Sequence, residues 1–87
     1  MIQSIKEIIN YLYRFKSSFL LVIYENEIKG FVDTKDIISL MNSGIDTPES
    51  ILYETKIKPL SSITKEEIKN NKVFILLSFP SKNIDLI

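Results

Sequence analysis

The chain of 87 residues predicts a small α/β domain of the α+β type, in which helices and strands mix along one sequence. Residues 19–41 read FLLVIYENEIKGFVDTKDIISLM. An apolar run, a polar turn, a second apolar run and an acidic helix start specify a β-hairpin that leads directly into a helix. Hydrophobic residues make up 45% and charged residues 25% of the chain, which is typical of a globular domain. This length supports one hydrophobic core.

The first predicted helix covers residues 5–15. Ser4 precedes Glu7 by three residues, which is the spacing of a capping box. The apolar residues then recur at helical spacing in one stripe, which contains Ile5, Ile8, Ile9, Leu12 and Phe15. Tyr11 and Phe15 lie one turn apart, and we assign both to the core.

The predicted hairpin follows this helix. Residues 19–24 are apolar at every position, which is typical of a strand covered on both faces. Residues 25–27 are polar and predict a three-residue turn. In the returning strand we expect Ile28, Gly30 and Val32 to point to one face. Gly30 indicates close backbone packing or a bulge, with space for a ligand as the functional alternative.

A second helix is predicted over residues 34–43. Asp33 stands at its N-cap, and Asp36 lies in its first turn, so two carboxylates meet the positive end of the helix. We favour capping over a shared metal ion for this pair. Gly44 is expected to end the helix in the left-handed conformation. The predicted buried face contains Ile37, Ile38 and Met41.

The remaining elements are shorter. Thr47 and Pro48 predict a helix start, and residues 55–59 predict an extended segment. Thr64 and Glu67 form a second capping box, whose helix ends near residue 70. Lys65, Lys69 and Lys72 make a basic stripe that is expected to be solvated. A strand over residues 73–79 ends at a proline, and residues 84–87 are its predicted hairpin partner.

The two predicted hairpins match each other. Residues 20–32 lie without gaps over residues 75–87, and a helix with a capping box precedes each copy. The chain therefore predicts a weak internal repeat, with one unit in residues 1–44 and a partial second unit in residues 45–87 of the same domain. The second unit lacks a closing helix.

Composition excludes several classes of function. Basic and acidic residues balance at 11 each, so no long-range field is present to attract nucleic acid or an anionic membrane. The chain has no Cys and no His, and its two glycines cannot build a phosphate-binding loop. No apolar run approaches the ~20 residues of a membrane helix. We therefore expect no catalytic residue, no metal site and a cytoplasmic location.

The run NEIKGFVDTKDIISLM, preceded by FLLVIYE and an amphipathic helix, resembles a cystathionine-β-synthase (CBS) repeat. Gly30, Phe31, Val32 and Asp36 match the family signature G-apolar-apolar-[ST]-x-x-D. The resemblance covers residues 4–44, and residues 55–87 look like a degenerate second copy. It implies a non-catalytic regulatory domain of a larger protein with an output domain. Paired CBS repeats bury their sheets against each other, which implies a homodimer.

The resemblance also implies a ligand, an adenine nucleotide such as AMP or ATP. It assigns the ribose to Asp36, the phosphate to Thr34 and the base to Phe19. Asp33 occupies the position where the family has a hydroxyl, and its carboxylate would repel a phosphate. Thr34 therefore takes the hydroxyl's role, and an uncharged nucleoside or no ligand remains an alternative.

Two other interpretations remain open. Two strands, several short helices and further strands, with the segment SGIDTPESIL, resemble a PAS sensor domain. The chain also fits a dimerisation or protein-contact module without a ligand, in which Tyr11, Phe15 and the basic stripe face a partner. Gly30 and Asp36 fall in register with the CBS signature, so we favour that resemblance.

Overall fold

Two pairs of strands are separated by a run of helices in the computed structural model, which describes all 87 residues. The elements are α1 (Ile5–Arg14), β1 (Phe19–Tyr24), β2 (Glu27–Asp33), α2 (Thr34–Asn42), α3 (Ser50–Glu54), a 3₁₀ turn (Leu60–Ser62), α4 (Lys65–Asn70), β3 (Ile75–Phe79) and β4 (Asn83–Leu86). The predicted α+β class is confirmed. No helix combines the length and the apolar character that crossing a membrane requires.

The four strands form one mixed sheet in the order β2-β1-β3-β4. Two antiparallel hairpins, β1/β2 and β3/β4, meet at a parallel pair of β1 and β3 in the centre. Leu21 pairs with Leu76 and Val22 pairs with Leu77. These are the same residues that the internal sequence match superposes. The preceding helices differ, because α1 buries four residues and α4 buries none.

One face of the sheet carries the hydrophobic core, a cluster of 14 buried residues that α1, α2 and α3 share with the strands. The predicted stripe of α1 is confirmed for Ile5, Ile8, Ile9 and Leu12, which are buried, whereas Phe15 follows the helix and is half-buried against the core, as is Tyr11. On α2 the prediction is partly wrong. Ile37 is buried, but Leu40 takes the second buried position and Met41 is 38% exposed. Leu40 and Met41 follow Ile37 by three and four positions, so both lie on its side of the helix. Packing against α1 buries Leu40.

Both long helices end in the same hydrogen-bonded motif. The N–H of Gly44 donates to the Met41 carbonyl, and the N–H of Ile45 donates to the Leu40 carbonyl. This is a Schellman motif with Gly44 at φ +80°, so its predicted role is confirmed. At the end of α1 the left-handed position is taken by Lys16, at φ 51°.

Other element boundaries differ slightly from prediction. α3 begins at Ser50, because Thr47 and Pro48 form a turn whose carbonyls accept from the N–H groups of Ser50 and Ile51. The capping box of α4 is confirmed. β3 begins two residues later than predicted, and β4 begins and ends one residue earlier.

The first hairpin contains a β-bulge next to Gly30, one of the two structural roles that the sequence indicated for this glycine. Its turn has two residues, Glu25 and Asn26, both with positive φ, as a type I′ turn requires. Val22 pairs with Gly30 while Ile23 pairs with Ile28, so one residue of β2 is left over in a β-bulge. Ile28 and Gly30 therefore face opposite sides of the sheet, and the expected alternation is wrong at this point.

Gly30 allows another stretch of backbone to approach β2. A Cβ atom built at Gly30 would lie 2.0 Å from the carbonyl oxygen of Lys58. The main chains of Phe31 and Lys58 exchange two hydrogen bonds, each 2.9 Å long. The structural role predicted for Gly30 is confirmed. Its alternative role, providing space for a ligand, is wrong because Lys58 fills that space.

Replacing Gly30 by Ala is expected to cost about 2 kcal/mol or more of unfolding free energy, because the new methyl group meets the Lys58 carbonyl and φ is +144°. Gly44→Ala is the matched control, since its φ is +80° and nothing lies within 4 Å of the added Cβ. That control should cost about 1 kcal/mol. Urea unfolding measures both, and equal losses would contradict the assigned role of Gly30.

Candidate functional site

An open surface depression with a volume of about 520 Å³ lies at the N-terminal end of α2. Its lining consists of Ser17, Ser18, Asp33, Thr34, Lys35, Ile38 and Glu67. This volume falls in the range of small-molecule sites. We refer to it as the α2 cavity.

The hairpin register brings the lining residues together. Phe19 pairs with Asp33, so the residues just before β1 lie beside those just after β2. The N–H of Thr34 donates to the Ser18 carbonyl at 2.9 Å. The Thr34 hydroxyl donates to the Ser17 carbonyl at 2.8 Å. Hydrogen bonds from Thr34 to two main-chain carbonyl groups therefore fix the rim of the cavity.

Asp33 occupies the N-cap position of α2 as predicted, but its side chain makes no capping hydrogen bond. The expected Asp33 cap is therefore wrong in this respect. Its carboxylate instead binds the ammonium group of Lys58, which the bridge to Phe31 holds beside it. The first turn of α2 therefore has no side-chain cap from Asp33.

The ion pair perturbs Lys58. Its hydrogen bond to Asp33 is the largest influence and raises the pKa of Lys58. Partial desolvation opposes this effect, and the charges of Asp33, Asp36 and Glu67 add to it. Lys58 thus partly neutralises the acidic groups around the α2 cavity.

Asp36 does not line the α2 cavity. It lines a separate one of about 330 Å³ between α2 and the end of α3, beside Glu54 and Lys56. Thr34 and Asp36 are two positions apart, which places them roughly 200° apart around the helix axis. For this reason Asp36 and Thr34, the predicted ribose and phosphate contacts, do not meet in one cavity.

Phe19, the predicted base contact, lies in the interior. It is 2% exposed and packs edge-on against Phe31, with the ring centroids 5.5 Å apart. The Phe74 ring lies 6.1 Å from it on another side. Phe19 lines no cavity and anchors an aromatic cluster, because its position in a central strand is covered by the segment before β3. The structure therefore does not bring together the three predicted ligand contacts.

Asn71 is bound to Ser18, a lining residue of the α2 cavity, and was not singled out by the sequence. It is 5% exposed, its Oδ1 accepts from the N–H of Ser18 at 3.0 Å, and its Nδ2 donates to the Ser18 hydroxyl at 3.2 Å. This clamp holds α4, with Glu67, at the cavity mouth. The register of the first hairpin could have predicted that Ser17 and Ser18 lie beside Asp33 and Thr34. No local pattern indicates Asn71.

Protein-family models, curated proteins and solved structures were compared with the chain, and none of them matches it. The resemblances to CBS and PAS domains therefore remain predictions. The structure holds no group of three or more carboxylates that is able to surround a metal ion.

Phe19→Ala is expected to lower the free energy of unfolding by about 3 to 5 kcal/mol, because it leaves a cavity among buried aromatic rings. Tyr13→Ala is the control. This aromatic residue is 67% exposed, so the change should stay within about 0.5 kcal/mol. Urea unfolding followed by circular dichroism measures both, and a small loss for Phe19→Ala would argue against its role in packing.

The Asp33–Lys58 pair predicts a loss of stability at alkaline pH. Because the folded-state pKa of Lys58 is raised, its contribution is fully present below the usual lysine value of 10.5 and is lost as pH rises through the raised pKa. The stability difference between the wild type and Lys58→Met should therefore shrink between about pH 9 and pH 12. Urea unfolding across this range tests it, since tyrosine ionisation affects both proteins alike. A constant difference would rule out the linkage.

Proposed function

We propose that the chain is a non-catalytic regulatory domain that binds a small polar ligand in the α2 cavity, as part of a larger protein. The α2 cavity is the single observation that carries this proposal. It has the volume of a small-molecule site, about 520 Å³, and polar side chains from the loop before β1, from β2, from α2 and from α4 line it.

The chemistry of the lining favours a ligand rich in hydroxyl groups. Asp33 and Glu67 supply carboxylate oxygens, and the side chain of Lys35 supplies one cationic donor. Carboxylates accept hydrogen bonds from hydroxyl groups and repel phosphate. The ribose of an adenosyl compound, which the CBS resemblance implies, meets these requirements. We therefore assign the ribose to Asp33 in place of Asp36, and we expect adenosine to bind more tightly than AMP or ATP.

The hydroxyl groups of Ser17 and Thr34 are better suited to a binding site than to catalysis. The Ser17 hydroxyl donates to the Val73 carbonyl at 3.4 Å, and the Thr34 hydroxyl donates to a carbonyl as well. Their protons are engaged by main-chain acceptors, and no side-chain base contacts either oxygen. A nucleophile requires such a base.

A second candidate function is that of a homodimerisation module without a ligand. It is favoured by the uncovered face of the sheet, where Ile28 is 53% exposed beside half-buried apolar residues of β1 and β3. The PAS-like interpretation also remains a proposal, since it rests on the order of elements alone.

Binding is tested by titrating the ¹⁵N-labelled protein with adenosine, AMP, ATP and S-adenosylmethionine. The amide signals of Ser18 and Lys35 are expected to shift, most strongly with adenosine. Asp33→Asn should weaken binding by about tenfold, the value of a hydrogen bond to a charged group. Asp36→Asn is the matched control and should leave the affinity within about twofold.

Two results would overturn this proposal. One is the absence of any shift with all four compounds. The other is a set of shifts confined to the second cavity, around Glu54 and Lys56, with binding lost in Asp36→Asn. Unfolding curves of Asp33→Asn show whether its lower affinity reflects lost stability, because this carboxylate also binds Lys58.

A further inference from the structure

The face of the sheet opposite the core has a definite chemical pattern. Strand register places its residues in rows that run across the sheet. The middle row reads Lys58, Phe31, Leu21, Leu76 and Asp85. The row nearer the first turn reads Ile28, Ile23, Ser78 and Asn83. The middle row is apolar in its centre, with the cation of Lys58 at one edge and the anion of Asp85 at the other, and the second row carries no charge.

Much of this face lies outside the core. Leu21, Ile23 and Leu76 are half-buried, and Ile28 is 53% exposed. None of these four residues belongs to the core cluster. We call them the open face. On the same side of the sheet Phe19 and Phe31 are each 2% exposed, and Phe74 is half-buried.

We propose that the open face binds the open face of a second copy of this chain. The two copies are related by a twofold axis that lies between the two stacked sheets, runs parallel to the strands and passes over the gap between β1 and β3. This arrangement specifies the surface and the symmetry of the homodimer. The open face shares no residue with the α2 cavity, but the Lys58 ammonium at its edge also binds Asp33, which lines that cavity.

The charges at the two edges select this axis. Rotation about an axis along the strands exchanges the two edges of the sheet, so Asp85 of one copy lies above the Lys58 edge of the other. The Lys58 ammonium lies 5.8 Å from the centre of the Phe31 ring, which places it above β2 and within the facing area. Leu21 then faces Leu76. An axis across the strands would set Asp85 against Asp85, which is unfavourable.

The pattern favours a second copy over an unrelated partner. A twofold interface must be complementary to itself, and this surface is self-complementary in both hydrophobicity and charge. Its apolar centre faces an apolar centre, and its basic edge faces its acidic edge. From Lys58 to Asp85 the row spans four strand spacings, roughly 19 Å. This is small for a stable interface, so we expect a dissociation constant in the micromolar range.

Sedimentation velocity between about 5 and 500 μM tests the proposal, since this range brackets a micromolar dissociation constant. The wild type is expected to shift from the 10.1 kDa monomer toward twice that mass. Ile23→Lys should abolish association, because it buries a charge at the centre of the interface. Asp85→Lys should weaken association by about tenfold, because it sets two lysines against each other. Glu54→Lys makes the same charge change at an exposed position on α3 and should have no effect.

A wild-type protein that stays monomeric at the highest concentration would overturn the proposal. So would a dimer that neither Ile23→Lys nor Asp85→Lys disrupts, since it must use another surface, such as the free edge of β4. Circular dichroism confirms that both variants remain folded. Adenosine titration of the monomeric Asp85→Lys variant tests the α2 cavity separately, so the failure of one proposal is distinguishable from failure of the other.

Discussion

The main-chain bridge between Phe31 and Lys58 determines how the rest of the molecule is arranged around β2. Two hydrogen bonds attach an extended segment to the outer edge of a strand that would otherwise be unpaired. The approach requires Gly30, because any side chain there would overlap the Lys58 carbonyl. The bridge also places an ammonium group beside Asp33, and it guides the chain over the aromatic cluster. The α2 cavity and the basic edge of the open face both follow from this contact.

Local patterns were sufficient to predict most of the elements. The capping boxes of α1 and α4 satisfy backbone groups within one turn, so their effect does not depend on the tertiary structure. The apolar run of β1 and the glycine after α2 act over similarly short distances. The local pattern allowed either Leu40 or Met41 to be buried, and packing against α1 determined that Leu40 is the buried residue. Gly30 indicated close packing or a bulge in β2, but the segment that packs against it, around Lys58, lies far along the chain and no local pattern indicated it.

The candidate site was harder to predict for the same reason. Asp33 has the residue type and position of a helix cap, yet a lysine 25 residues away binds its carboxylate instead. Thr34 and Asp36 are two positions apart in the sequence but lie on different sides of the helix. Asn71 meets Ser18 across 53 residues, and nothing near either residue indicates that contact. Such pairs depend on the sheet order, which a single sequence does not specify.

The parallel pairing of β1 with β3 has a consequence for how the chain reaches its folded state. The two central strands are separated by β2 and three helices, so the sheet closes only after more than half of the chain has been ordered. Non-local pairing of this kind slows folding, because loop entropy is lost before contacts compensate for it. Until β3 arrives, β1 presents an apolar strand with one unpaired edge, which is prone to aggregation. A nascent chain in which β3 has not yet left the ribosome is thus the most vulnerable form of this protein.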